Sequence, residues 1–315
     1  MSDADPPEPN PPSPGRPPGT PPPPSPAGPA SMPPPPASPA TPGPMPPPPP
    51  SPASPAPVPA GDSPALDARA PLGAVRDEVA KVVVGQDGIV SGVITALLVR
   101  GHVLLEGVPG VAKTLLVKAL SAALDLQFTR VQFTPDLMPS DVLGQTVYDN
   151  GDFQFREGPV FTNLLLADEI NRTPAKTQAA LLEAMEERQV SVEGDARMLP
   201  EPFIVVATQN PIEYEGTYPL PEAQLDRFLF KLQVPYPSAD QEKDILDRHN
   251  RGFDPHDLAG VGVQAVAGAD ALEAARRKVT GIAVEEPVLS YIVDLVRATR
   301  SSPSVSLGVS PRGAA

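Results

Sequence analysis

The sequence contains no cysteine. Disulfides, thiolate catalysis and cysteine-ligated metals are therefore excluded, and the chain suits a reducing compartment. Histidine is nearly as scarce. His102, His249 and His256 show no metal-ligand spacing, and each reads as a surface or packing residue. No run approaches the roughly 20 apolar residues that span a bilayer, and the N-terminus lacks a basic stretch leading into an apolar one. A chain without a membrane span, unexported and cytoplasmic, is expected. Positive charge is in deficit too: 24 Lys and Arg against 38 Asp and Glu leave a net charge of −14. In the first 60 residues Asp3, Asp5 and Glu8 face only Arg16, so the remainder carries −12. Such a body repels phosphate backbones, no locally basic face offsets it, and nucleic-acid binding is not expected.

Proline is what the chain has in excess. There are 48, and 30 of them fall in the first 60 residues. Runs such as PPPPSPAGPA hold almost no aromatic or branched aliphatic residue, so they cannot bury enough apolar surface to offset the entropy of folding. Residues 1–62 are expected to be a disordered proline-rich tail with polyproline II character. It reads as a semi-rigid spacer, a composition that also suits ligands of aromatic-lined grooves.

From about Leu66 the composition turns globular, and apolar runs alternate with helical spacing, the pattern of a parallel α/β sheet. Five runs read as strands: HVLLEGV (102–108), FTRVQF (128–133), NLLLADE (163–169), FIVVATQN (203–210) and FKLQV (230–234). Two hairpins interrupt them, one turning at Asn150-Gly151 and one at Glu193-Gly194-Asp195. After Pro237 the strands stop. Ser238 and Gln241 form a capping box that opens a helix ending near Gly252, and helical stretches follow at about 268–279 and 285–300. Ser310-Pro311-Arg312 reads as an N-cap, a first-turn proline and the start of one more helix. The expected domains are thus the tail (1–62), an α/β core (63–237) and a helical lid (238–315).

The chemistry concentrates in a few short segments. Gly107-Val108-Pro109-Gly110-Val111-Ala112-Lys113-Thr114 joins a strand to a helix, the context in which a phosphate-binding loop is meaningful. Glycines let backbone N–H groups wrap phosphates, Lys113 reaches the β/γ oxygens, and the Thr114 hydroxyl ligates Mg²⁺. One residue departs from the strict pattern, Ala112 standing where the last glycine is usual. NLLLADE then delivers Asp168 to hold the metal through its water shell and Glu169 to polarise the attacking water. VVATQNP ends at Asn210, an amide placed to orient that water; a plain Asn-Pro turn is the competing reading. EAQLDRF offers Arg227 and the C-terminus Arg312, either of which could stabilise transition-state charge or simply form a surface ion pair.

Taken together, GHVLLEGVPGVAKT, LLLADEINRTPAKTQAALLEAMEERQV, VVATQNP, YPLPEAQLDRF and SPR resemble the MoxR family of AAA+ ATPases, over essentially all of 66–315. Ala112 is itself similar to the family form. The resemblance implies a sheet of order 5-1-4-3-2 with a helical lid, a hairpin inserted in helix 2 and a second before the strand bearing Asn210. It also implies Walker A at Gly107–Thr114, Walker B at Asp168 and Glu169, sensor 1 at Asn210, an arginine finger at Arg227 and sensor 2 at Arg312. Gly85 and Gln86 match the segment near adenine. Implied with these are ATP and Mg²⁺, a homo-oligomer, commonly a hexameric ring, and chaperone-like remodelling of partner proteins, often ones with von Willebrand A domains.

Two features fall outside the resemblance. The proline-rich tail has no counterpart in the family core, and the chain stops three residues after Arg312, so the lid is expected to be incomplete at its C-terminus. A metal-chelatase or nucleic-acid motor subunit and a non-catalytic nucleotide-binding scaffold are the alternatives. Guanine specificity is not expected, since no Asn-Lys-x-Asp element appears downstream.

Overall fold

The computed structural model describes residues 66–149, 151–211 and 216–315. The proline-rich segment, 1–62, lies outside them. Two helices come first, α1 (Leu66–Ala80) and α2 (Asp87–Leu98), followed by β1 (Val103–Glu106), α3 (Lys113–Ala123) and β2 (Phe128–Gln132). A short α4 (Pro139–Leu143) leads into the hairpin β3 (Gly144–Asp149) and β4 (Asp152–Glu157). Then come β5 (Leu164–Asp168), α5 (Ala175–Glu187), the hairpin β6 (Gln189–Val192) and β7 (Asp195–Met198), β8 (Ile204–Gln209), α6 (Glu222–Leu225) and β9 (Phe230–Gln233). Four helices close the chain: α7 (Ala239–Asn250), α8 (Ala269–Thr280), α9 (Glu286–Ser301) and α10 (Pro311–Ala314).

Five strands form one parallel sheet in the order β2-β5-β8-β1-β9. With the hairpin strands left uncounted, this is the expected order 5-1-4-3-2. The expected strands at 102–108, 128–133, 163–169, 203–210 and 230–234 are those five. The central ones are apolar up to their C-terminal ends because helices cover both faces. Alternation of the pleat divides their side chains between two cores. Val103, Leu105, Leu164, Leu166, Ile204 and Val206 face α1, α2 and α3, while Leu104, Leu165, Ala167, Val205 and Ala207 face α5 and the β6–β7 hairpin. Each such leucine or valine, fully buried, contributes about 1.5–3 kcal/mol.

His102 is a packing residue, as its lack of ligand spacing implies. It is buried edge-on to Phe203, its Nδ1 accepts from the Val205 N–H at 2.9 Å, and its Nε2 lies 3.2 Å from the Met185 carbonyl. Both hairpins form where turn chemistry places them. Gly151 follows Asn150 at φ 98°, and Glu193 and Gly194 take φ 54° and 94° between the paired Val192 and Asp195. The second turn is therefore one residue shorter than its sequence suggests. The hairpins also touch: Thr146 Oγ1 donates to Glu193 Oε2 at 3.0 Å, and the Arg197 guanidinium stacks 4.3 Å from the Phe155 ring centre.

The Ser238–Gln241 capping box opens α7 as expected. Beyond it α8 packs on the core helices α1 and α2, and buried Arg276 donates from Nε (2.9 Å) and Nη2 (2.7 Å) to the Leu97 carbonyl at the end of α2. No residue of α7 or α9 is buried. No helix among the described residues is long and apolar enough to cross a membrane.

Candidate functional site

In a parallel sheet every strand ends on the same edge, and the register here aligns the chemistry along it. Glu106, the residue before the glycine-rich loop, lies beside Gln209, and Gln132 lies beside Asp168. β5 and β8 separate β1 from β2, so the loop after β1 opens into a crevice. A cavity of about 540 Å³ occupies it. Pro109 to Thr114, Asp168, Glu169, Thr208 and Asn210 line one end; Val82 to Val84, Gln86, Ile245, Phe253, Pro255 and His256 line the other.

The loop has the form of a phosphate cradle. Gly110 takes φ +85° with open space where a side chain would stand, and Gly107 sits so close to Val234 that an added Cβ would lie 2.7 Å from its carbonyl oxygen. Ala112 caps α3 in the left-handed region at φ 59°. This conformation costs a residue with a Cβ about 1 kcal/mol, which explains why glycine is usual there. The first turn of α3 leaves its N–H groups without intrahelical acceptors and adds partial positive charge. Lys113 Nζ donates to the Gly107 carbonyl at 2.5 Å, so the expected reach to phosphate is occupied by the loop's own backbone. Burial pushes the Lys113 ammonium below its ordinary pKa, while Asp168 and Glu169 pull it back.

Opposite the loop stand two carboxylates held by protein donors. Thr208, fully buried on β8, donates to Asp168 Oδ1 at 2.5 Å and accepts from the Glu169 N–H at 2.8 Å. Asp168 Oδ2 accepts from Arg130 Nε (3.0 Å) and Nη2 (2.7 Å). Glu169 sits at φ 57°, and its Oε2 accepts from Gln132 Nε2 at 2.7 Å and Arg172 Nη1 at 3.3 Å. The cradle geometry, the Thr114 hydroxyl and the buried Asp168 carboxylate fit a hard divalent cation bound beside phosphates.

Of the remaining expected site residues, Asn210 is buried at the cavity and Gln86 lines its far end. Gly85 lies just outside, at φ +76° and tight against the Gln241 side chain. Gly107 and Val108 precede the lining. Arg227 and Arg312 are elsewhere. Both pair with Glu186, Arg227 Nε at 3.9 Å and Arg312 through Nη2, in a separate cleft of about 1700 Å³ that shares no lining residue with the first. Thr208, Arg130, Gln132 and the apolar residues at 245–255 escape sequence reasoning. His249 and His256 are exposed, as expected of surface residues, and stand at the cavity as well.

Comparison with known proteins agrees with this geometry. Residues 102–230 match a family model described as ATPase family associated with various cellular activities. The chain is 49% identical over 249 residues to YeaC of Bacillus subtilis, covering 78% of this chain and 76% of the relative. It is 47% identical over 246 residues to Chaperone MoxR1 of Mycobacterium tuberculosis, covering 75% of this chain and 63% of that chaperone's length. Identity to Protein MoxR of Methylorubrum extorquens is 33% over 280 residues, covering 81% and 80%. A crystal structure of a presumed ATPase from Cytophaga hutchinsonii superposes with a TM-score of 0.71 at 42% identity, covering 79% of this chain and 78% of that one. With 33% identity to a protein named MoxR over four fifths of that relative's length, and with the ATPase family model and solved ATPase beside it, the chain belongs to the MoxR family of AAA+ ATPases.

Proposed function

We propose that the chain binds Mg²⁺-ATP in the crevice after β1 and hydrolyses it, coupling turnover to chaperone-like remodelling of partner proteins in a ring of identical subunits. One observation carries the reading: Lys113 and Thr114, at the start of α3, line the same cavity as Asp168, Glu169 and Asn210, delivered by β5 and β8. In this reading Gly107 to Thr114 wraps the phosphates and Lys113 exchanges the Gly107 carbonyl for phosphate oxygen. Thr114 and Asp168 hold Mg²⁺, which when bound neutralises charge developing on the phosphates. Glu169 takes a proton from the attacking water and Asn210 orients it. The apolar far end around Val82 to Val84, Gln86 and Phe253 suits a purine face.

Arg227 and Arg312 sit together away from this cavity, and that position suits action on a neighbouring subunit's nucleotide. A hexamer and clients with von Willebrand A domains follow from the family alone. Lys113→Ala should abolish binding of a fluorescent ATP analogue, whereas Glu169→Gln should bind it like the parent and hydrolyse ATP at least about 100-fold more slowly. Parent-like turnover in both variants would show that this cavity is not where hydrolysis happens.

A further inference from the structure

The Walker B acid is already engaged. A carboxylate as shielded as Asp168, with 12% of its side chain exposed, needs a compensating charge. Lys113 lines the same cavity, yet its ammonium is turned to the Gly107 carbonyl. The charge comes instead from Arg130, on the edge strand β2, whose Nε and Nη2 both reach Oδ2. With Thr208 on Oδ1, each carboxylate oxygen has a protein donor.

We propose that Arg130 is a positioning residue that holds Asp168 when no metal is bound, competes with Mg²⁺ for it, and so sets the Mg²⁺ concentration at which nucleotide is retained. The inference rests on the reading of Asp168 as the metal-holding carboxylate.

Three features favour a displaceable counter-ion over a fixed structural pair. Arg130 is 46% exposed on its side chain, so its guanidinium can return to water at little desolvation cost, unlike the buried Arg276. It is fastened by polar contacts only at the acid end: Nη2 also donates to Gln132 Oε1 at 2.5 Å, two residues along the same strand face. That contact fixes the amide of Gln132 so that its Nε2 donates to Glu169. One guanidinium therefore holds the metal carboxylate directly and the general base through a single amide. Displacing it frees Asp168 Oδ2 and loosens the amide on Glu169, while Thr208 and Arg172 keep the other contacts of the two acids. The groups facing this pair are Lys113 from the loop, Glu169 and Arg172 after β5, and Thr208 from β8; none of the described cations other than Arg130 is bonded to Asp168.

The test is equilibrium binding of a fluorescent, non-hydrolysable ATP analogue to the full chain, titrated with Mg²⁺. In Arg130→Gln the half-saturating Mg²⁺ concentration should fall about fivefold, the size of one partly exposed ion pair. Arg130→Lys, which keeps the charge but loses the guanidinium fork, should fall between the parent and Arg130→Gln. Should Arg130→Gln fail to fold by thermal unfolding, Arg130→Met keeps the stem's packing and carries the same expectation. An unchanged or raised Mg²⁺ requirement in the neutral variants overturns the proposal. Asp168→Asn separates it from the reading beneath it: that variant should lose the Mg²⁺ effect altogether, and if it titrates like the parent the metal assignment itself is wrong.

Discussion

At the scale of single residues, one buried group sets a pH dependence of stability. Burial pushes the His102 imidazole from its ordinary 6.5 down to about 4. A histidine lowered in the folded state stays neutral where the unfolded chain would take up a proton. Its contribution is thus complete above about pH 6.5 and is lost as pH falls toward 4, a span worth about 3 kcal/mol. Urea unfolding of the parent at pH 7 and pH 5 should differ by about 2 kcal/mol from this group. His102→Gln should flatten that difference even if it lowers stability overall; an equally steep slope in the variant would assign the effect to other residues. What the sequence made legible at this scale is a matter of linear proximity. Lys113 and Thr114 follow their loop, and Asp168 and Glu169 end a strand, so chain order alone exposes them. Arg130 and Gln132 acquire their partners only when β2 docks on β5, and nothing local marks them.

Among the elements, those with local signatures could be read in advance: the Asn150-Gly151 hairpin, the capping box of α7, the proline at the start of α10. The docking of α8 could not, because its amphipathic spacing says that one face is covered and not by what. The structure covers it with α1 and α2 and fastens it through Arg276. Arg276→Ala removes two charge-assisted hydrogen bonds to the Leu97 carbonyl and one of the two guanidinium partners of Glu273, a loss of about 2–3 kcal/mol that a urea midpoint should register. A shift no larger than that of an exposed substitution would show that the clamp is incidental. The turn residues Phe253, Pro255 and His256 reach the cavity for the same reason: the connector between α7 and α8 is laid along the core, a tertiary outcome without a periodic signal.

For the molecule as a whole, the two outlying arginines bear on the proposal that neighbouring chains complete one another's sites. Glu186 draws Arg227 and Arg312 together, and Arg312 in turn holds the Glu186 carboxyl below its usual range. Ser310 ties the same corner through Asp226 at 2.7 Å. Arg227→Ala should therefore bind nucleotide normally yet turn over at least about 100-fold more slowly. Mixed with Lys113→Ala, it should regain activity, since each chain then lends what the other lacks. A mixture no more active than its separate components would confine Arg227 to a structural role. The paired hairpins carry a different consequence. β4 runs on toward the strand that ends in Asp168, β7 toward the strand that Asn210 follows, and Arg197 on Phe155 with Thr146 on Glu193 join the two arms. A tug on either tip should accordingly be felt by both.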